Sequence, residues 1–576
     1  MSAAALEAPA LQTLCNAVSG QVMTGHLQEF ARWVKLSGTA DELASLHTVK
    51  ARLDEYGFRT RIIVHDAYIS LPGPAHVTVD GEALTAITHS HGQPSPAGGI
   101  TGRLVHVGEG RPADFARTAA AGSLAGCIVL AEGIASPAVA RLASAAGAIG
   151  QLHISPHHHL HEMCVSPVWG SPTDETIADM PATVVCTISH TDGMALVTLL
   201  QAGDTPSVVL TASVDTGWRQ TPILEGVLDG PAPGGPFVLL SGHLDTWYYG
   251  VMDNGSANAT MLEVARLMAQ SPARLRDLRV CFWSGHSHGR YSGSTWYVDH
   301  HWDELDRLCA AHVNVDSTGG IGATVLGDAA AVSELSTLAG EAIRTQTGHQ
   351  YVGKRKNRSS DDSFPGIGIP SMFGGLSEQP PNSVTAGPVK MRNALGWWWH
   401  TPEDLIDKID IDFLVRDTRV FVHVVARLLN DLVLPLDYAA HARALLAELE
   451  QIADDLGGRF SCADLIAAAE QLRVNAEALA VRGHADPERA NHALMAASRA
   501  LMPIDYSRGD RFDHDPALPL PPWPVLQKLR DLALTAPGSD AAHFTAVSAA
   551  RSRNRIAHAL RYANAALVAG LPDRSR

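Results

Sequence analysis

The chain has 576 residues, 46% of them apolar and 18% charged, with a formal charge of -16. That length exceeds what one hydrophobic core organises, so about three domains are expected, and the composition excludes extensive disorder. The acidic balance disfavours nucleic acid, whose phosphates demand the opposite sign, and no stretch reaches the roughly 18–20 consecutive apolar residues of a membrane span.

Residues 1–70 hold helical patterns around 30–33 and 43–53, then a short extended run at 60–64. The amino terminus lacks a basic region followed by an apolar core, which predicts no secretion signal. The seven cysteines are scattered without a CxxC pair, the usage of a reducing compartment, so the expected location is cytoplasmic. From 71 to 217 the texture changes to short strands rich in glycine and proline, with strands expected at 126–130 and 149–154 and a small-residue helix at 137–146. This reads as a separate α/β insert. From 218 to 435 come the apolar runs 237–240, 280–283, 311–315 and 323–326, bounded by turn residues and separated by helical spacing. That is the mark of a buried, largely parallel sheet. After 435 the strands stop. Leu445, Leu449, Ile452 and Leu456, and later Ile556, Leu560, Ala563 and Leu567, step at helical spacing, so 436–576 reads as a helical domain interrupted by a proline-rich linker at 516–524.

Several residues that bind metals or move protons follow the apolar runs of the third segment. His243 follows 237–240, with Asp245 and Asp253 close behind; His286 and His288 follow 280–283; Asp316 ends 312–316; His400 follows three tryptophans. The segment Thr401-Pro402-Glu403-Asp404 beyond it reads as a helix start. In a parallel sheet the carboxyl ends of neighbouring strands lie side by side, so these residues converge on one rim. An isolated buried carboxylate is costly, and a metal ion is the usual compensation.

These motifs resemble peptidase family M28, in the branch of glutamate carboxypeptidase II and the transferrin receptor. The matching residues are Gly242-His243-Leu244-Asp245, Asp253-Asn254-Gly255-Ser256, Val315-Asp316-Ser317 and Trp399-His400-Thr401-Pro402-Glu403-Asp404. Ser360-Asp361-Asp362-Ser363-Phe364 looks like the family's substrate-side loop. The resemblance implies a zinc-exopeptidase-like α/β fold: a mostly parallel mixed sheet flanked by helices, with a protease-associated insert at 71–217 and a helical dimerisation domain at 436–576. It implies two divalent metal ions, zinc in type. His243 and Asp316 would bind one, His400 the other, and Asp253 would bridge them, while Asp245 would hydrogen-bond His243 and fix its tautomer.

One element of the family pattern is missing. Two adjacent glutamates, a general base and a metal ligand, precede a glycine-rich turn in the family; here Trp283–Ser294 contains none. Counting forward from Trp283 puts His286 in the base position and Ser287 in the ligand position. Counting back from Gly293-Ser294 gives Ser287 and His288. Serine is a poor zinc ligand and imidazole a good one, so the preferred assignment has His288 on the second metal and His286 moving the proton, near whose pKa such chemistry operates. A second geometry has both imidazoles on metal. The expected activity is hydrolysis of an amide or peptide bond in a small substrate by metal-activated water, in a homodimer without nucleic-acid or membrane partners; the competing expectation is a catalytically degenerate scaffold. Among weaker signals, the histidine-rich stretch 151–162 reads first as a solvated loop, with metal binding or a position facing the active site across the domain boundary as the alternative. Lys354, Arg355, Lys356 and Arg358 read as either a carboxylate-holding group or a plain basic turn, and Tyr248 and Tyr249 as candidate pocket residues.

Overall fold

The computed structural model describes residues 7–271, 274–381, 383 and 395–572; the outer limits of the first and last expected domains lie outside these. Among the described residues the larger sheet has ten strands. At its centre Phe237–His243 runs parallel to Asp277–Trp283 on one side and to Cys309–Asp316 on the other, and Ser371–Gly375 continues in parallel beyond Cys309–Asp316. These strands are buried along nearly their whole length, as an apolar run covered on both faces must be. Helices Gly20–Phe30, Ala40–Glu55, Ala257–Gln270 and Ile411–Asn430 pack into the same core. The fold is therefore mixed α/β with a mostly parallel sheet, as expected.

Three local expectations change. The extended run expected at 60–64 is the start of a 21-residue strand, Arg59–Val79, paired antiparallel along its length with Val208–Leu228. The Pro72-Gly73-Pro74 stretch hides this in the sequence, because proline donates no ladder hydrogen bond; the ribbon absorbs it as a register shift between Pro72 and Ala75. The apolar run 323–326 forms no regular strand, only an isolated bridge between Val325 and Glu378. Gly319 and Gly322 flank it with positive φ, a conformation that breaks an extended run. No helix starts at Thr401; a short 3-10 turn follows at Ile406–Lys408, and the next α-helix, Ile411–Asn430, is capped by Asp410, whose carboxylate accepts from the backbone N–H of Asp412 and Phe413.

The long ribbon leads into a second sheet of five strands, with Leu104–His106, Ile128–Glu132, Gly150–Ile154 and Val184–Ile188 parallel and Ala86–Thr88 antiparallel at the edge. It has its own apolar core. After 436 the chain is helical: Tyr438–Leu456, Ala463–Arg482, Pro487–Tyr506, Gln527–Leu534 and Asp540–Gly570. The residues that marked helical spacing, Leu445, Leu449, Ile452, Leu456, Ile556, Leu560, Ala563 and Leu567, are all buried. The proline-rich linker crosses from this helical region to the second sheet's domain, where the Ala517 N–H donates to the Pro167 carbonyl at 2.8 Å. Among the described residues no helix is long and apolar enough to cross a membrane.

Candidate metal centre

The sheet register builds the centre. Pairing of Ser241 with Asn314 and of His243 with Trp283 sets Asp316 opposite His243 at the carboxyl rim. Asp253 arrives on the tight turn Val251–Ser256, which includes a cis Asp253–Asn254 peptide. Two side chains hold that turn against the strand ends. Asn254 Nδ2 donates to the His243 carbonyl at 3.3 Å and its Oδ1 accepts from the Ser317 N–H at 2.9 Å. Asp404 accepts from the N–H groups of Met252 and Asp253 at 2.9 and 3.0 Å. Burial pushes the Asp404 carboxyl up to about 7.

His243 Nε2 lies 3.3 Å from Asp253 Oδ1 and 3.7 Å from Asp316 Oδ1; His400 Nε2 lies 3.1 Å from Asp253 Oδ2. Asp253 thus stands between two imidazoles, and the four residues meet. Burial opposes charge on Asp253, but His243 and His400 outweigh it and hold the carboxyl well below the usual range. Burial likewise opposes charge on His243, yet Asp253 and Asp316 drive its pKa well up. His243 Nε2 and Asp253 Oδ1 are buried without a hydrogen-bond partner, so a divalent cation fits this donor set and would satisfy both atoms at once.

The tautomers suit this. His243 Nδ1 donates to the Asp245 carbonyl at 2.8 Å, and His400 Nδ1 donates to the Glu162 carbonyl at 2.7 Å, leaving each Nε2 a lone pair. The expected contact of the Asp245 carboxylate with His243 is replaced by that backbone carbonyl; Asp245 Oδ1 is 3.8 Å from the ring. The carboxylate instead accepts from the N–H groups of His286 and Ser287 at 3.2 and 2.9 Å and from the Ser37 hydroxyl at 2.7 Å. Three donors in reach of its oxygens draw it toward the 286–287 backbone.

His286 and His288 part company. His286 stacks on His243, ring centroids 3.6 Å apart, and His243, His286 and Asp316 present ligand atoms within 4.8 Å of one another. Its Nδ1 lies 3.0 Å from Oδ2 of the fully buried Asp361. His288, the expected ligand of the second metal, is not among the residues that line the cavity. Its Nδ1 is 3.0 Å from Ser37 Oγ, its ring packs on Trp247 at 4.3 Å, and burial pushes its pKa down to about 4.

The centre opens into a cavity of about 1620 Å³ lined by Asp253, His286, Ser287, Asp316 and His400. Trp169 from the insert and Ala517 from the helical region wall it as well. Arg355 and Arg358 line it too, but Arg355 pairs with Asp505 and Arg358 donates to the carbonyls of Asp515 and Pro516. Tyr249 is 41% exposed, and Tyr248 is engaged by Glu162. The histidine-rich stretch is not a solvated loop: His161 is buried and donates from Nδ1 to the Trp399 carbonyl at 2.5 Å, and His159 stacks on Trp397. Sequence reasoning quoted Asn254 and Asp404 within motifs without these roles, noted Asp361 only as part of a loop, and passed over the Glu162 carbonyl.

Comparison with known proteins agrees with this architecture. Residues 226–425 match the model of peptidase family M28. A probable glutamate carboxypeptidase of Zea mays is 27% identical over 241 residues, 39% of this chain and 33% of that protein. One from Arabidopsis thaliana is 23% identical over 365 residues, 52% of each. The chain thus spans between a third and about half of the length of these curated relatives. A zinc aminopeptidase from Bacillus subtilis shares the fold with a TM-score of 0.55 at 20% identity, over 72% of this chain and 96% of that one. The segment that matches peptidase family M28 is the one that supplies His243, Asp253, His286, Asp316 and His400.

Proposed function

We propose that this chain is a metal-dependent hydrolase that cleaves an amide or peptide bond in a small substrate, as an exopeptidase or amidohydrolase. The observation that carries the reading is the meeting of His243, Asp253, Asp316 and His400, with His243 Nε2 and Asp253 Oδ1 buried 3.3 Å apart and neither in a hydrogen bond. The proposed content is two divalent ions, zinc in type, with His243 and Asp316 toward one, His400 toward the other and Asp253 between. Such ions polarise the scissile carbonyl and acidify the attacking water.

The chain's own residues do the rest. His286 faces the cavity with Nδ1 held toward Asp361, so its other nitrogen takes the proton of the attacking water and returns it to the leaving amine. Asp245 fixes the backbone that carries His286. Ser360 donates to Asp316 Oδ2 at 2.8 Å and holds that carboxylate in place. Trp399 stacks on His400 at 3.6 Å and shields it from water. The second sheet's domain, read as protease-associated, and the helical region wall the cavity, which favours small or terminal substrates over internal positions of a folded chain. Cysteine usage, with all seven thiols buried and free, supports a cytoplasmic location. The helical region leaves Val481, Leu534, Phe544 and Tyr562 exposed, which supports a homodimer through that region, measurable by light scattering on dilution.

The competing reading, a non-catalytic scaffold, draws on the absence of any glutamate between Trp283 and Tyr291. Metal analysis with a screen of dipeptides, acyl amino acids and simple amides separates the two. Bound divalent metal and turnover that a chelator abolishes and added zinc restores is the expected result. A folded, metal-free protein with no turnover across the screen removes the hydrolase reading.

A further inference from the structure

Resting on the metal-hydrolase reading, we infer that the two halves of the centre are unequal: one divalent ion is held tightly on the His243–Asp316 side, and the position beside His400 binds a second ion only weakly, because Ser287 supplies no anionic donor there. The donors are distributed unevenly. On one side His243 Nε2 lies between Asp253 Oδ1 and Asp316 Oδ1 at 3.3 and 3.7 Å. On the other side the pair in contact is His400 Nε2 and Asp253 Oδ2, at 3.1 Å.

By the forward count from Trp283, the residue that would complete that second position is Ser287. It lines the cavity with Asp253 and His400, its N–H is fixed on Asp245 Oδ2 at 2.9 Å, and its hydroxyl is buried with no hydrogen-bond partner. A neutral hydroxyl is a poor ligand for a divalent ion. His288 Nε2 is buried with no hydrogen-bond partner, but its ring packs on Trp247 and His288 is not among the cavity-lining residues. A second dication beside His400 would therefore meet the repulsion of the first with only a shared Asp253 carboxylate to offset it. Loss of a supporting partner one step removed from a metal costs about 10–100-fold in affinity, so a missing direct ligand implies a second site weaker by about 100-fold or more.

The test is metal stoichiometry on the full-length protein, by elemental analysis after dialysis and by titration with Co²⁺ followed by visible absorption and calorimetry. The expected result is one ion retained per chain, with the second entering at about 100-fold higher free metal or above. His243→Ala should lose the retained ion, His400→Ala should keep it, and Ser287→Glu should retain two. If Ser287→Glu misfolds, the contrast between His243→Ala and His400→Ala decides alone. Two ions of similar affinity in the unaltered protein, or loss of the retained ion in His400→Ala to the same degree as in His243→Ala, overturns the inference and leaves the hydrolase reading standing. No bound ion at all in the folded protein overturns the hydrolase reading itself, and this inference with it.

Discussion

Two largely parallel sheets stand in this molecule, and their carboxyl rims carry different chemistry. In the larger one, Phe237–His243 and Cys309–Asp316 end in His243 and Asp316, which meet at the candidate metal centre. In the smaller one, Ile128–Glu132 and Gly150–Ile154 end in Glu132, which pairs with His106 at 3.2 Å, and in buried Ile154; both line the cavity, but neither belongs to the donor set. The loop beyond Ile154 contributes mainly support: His161 holds the Trp399 carbonyl, and the Glu162 carbonyl holds His400. A parallel sheet offers a place for a site; the side chains at its rim decide whether one is built there.

That contrast can be tested by substitution at each rim. On the larger rim, His243→Ala should lower kcat/KM by about 10³-fold or more, since it removes a direct donor; activity within ten-fold of the parent would erase the distinction between the sheets. Asp361→Asn keeps size and removes the charge facing His286. We expect kcat to fall about 10–100-fold with metal content unchanged, read by steady-state kinetics beside elemental analysis. His161→Phe on the smaller rim removes one hydrogen bond to the His400 loop, worth about 1 kcal/mol, and should reduce kcat/KM about five-fold. Deeper in that sheet, His153→Ala loses the contact of Nε2 with Gln151 Oε1 at 3.2 Å. It should cost about 1–3 kcal/mol of stability in denaturant unfolding, with kcat and metal content at parental values.

Much of this could be read in the sequence because it rests on side chains at regular spacing. Apolar runs located the central strands, helical spacing located the tail, and strand-end position singled out His243, Asp253, Asp316 and His400. What escaped depends on backbone groups or on contacts far along the chain. The groups that set the tautomers of His243 and His400 are the carbonyls of Asp245 and Glu162, and any residue type supplies a carbonyl. Asp361 reaches His286 across 75 positions, and Asp404 was read as part of a helix start while its oxygens serve the Asp253 turn. The choice between His286 and His288 depends on which way the 284–291 turn faces, where Gly285, Arg290 and Tyr291 all take positive φ; no periodicity encodes that.

The antiparallel neighbour of Asp277–Trp283 has a practical consequence. That neighbour, Val208–Leu228, is itself paired with Arg59–Val79, so the matched segment 226–425 is not an autonomous folding unit. Excised alone, it would keep only the last residues of the 208–228 strand and leave the backbone of Asp277–Trp283 as a raw, sticky border open to any passing chain. It would also lose the helices Gly20–Phe30 and Ala40–Glu55 that complete its core. Anyone transplanting this rim to another protein must bring both ends of the ribbon with it.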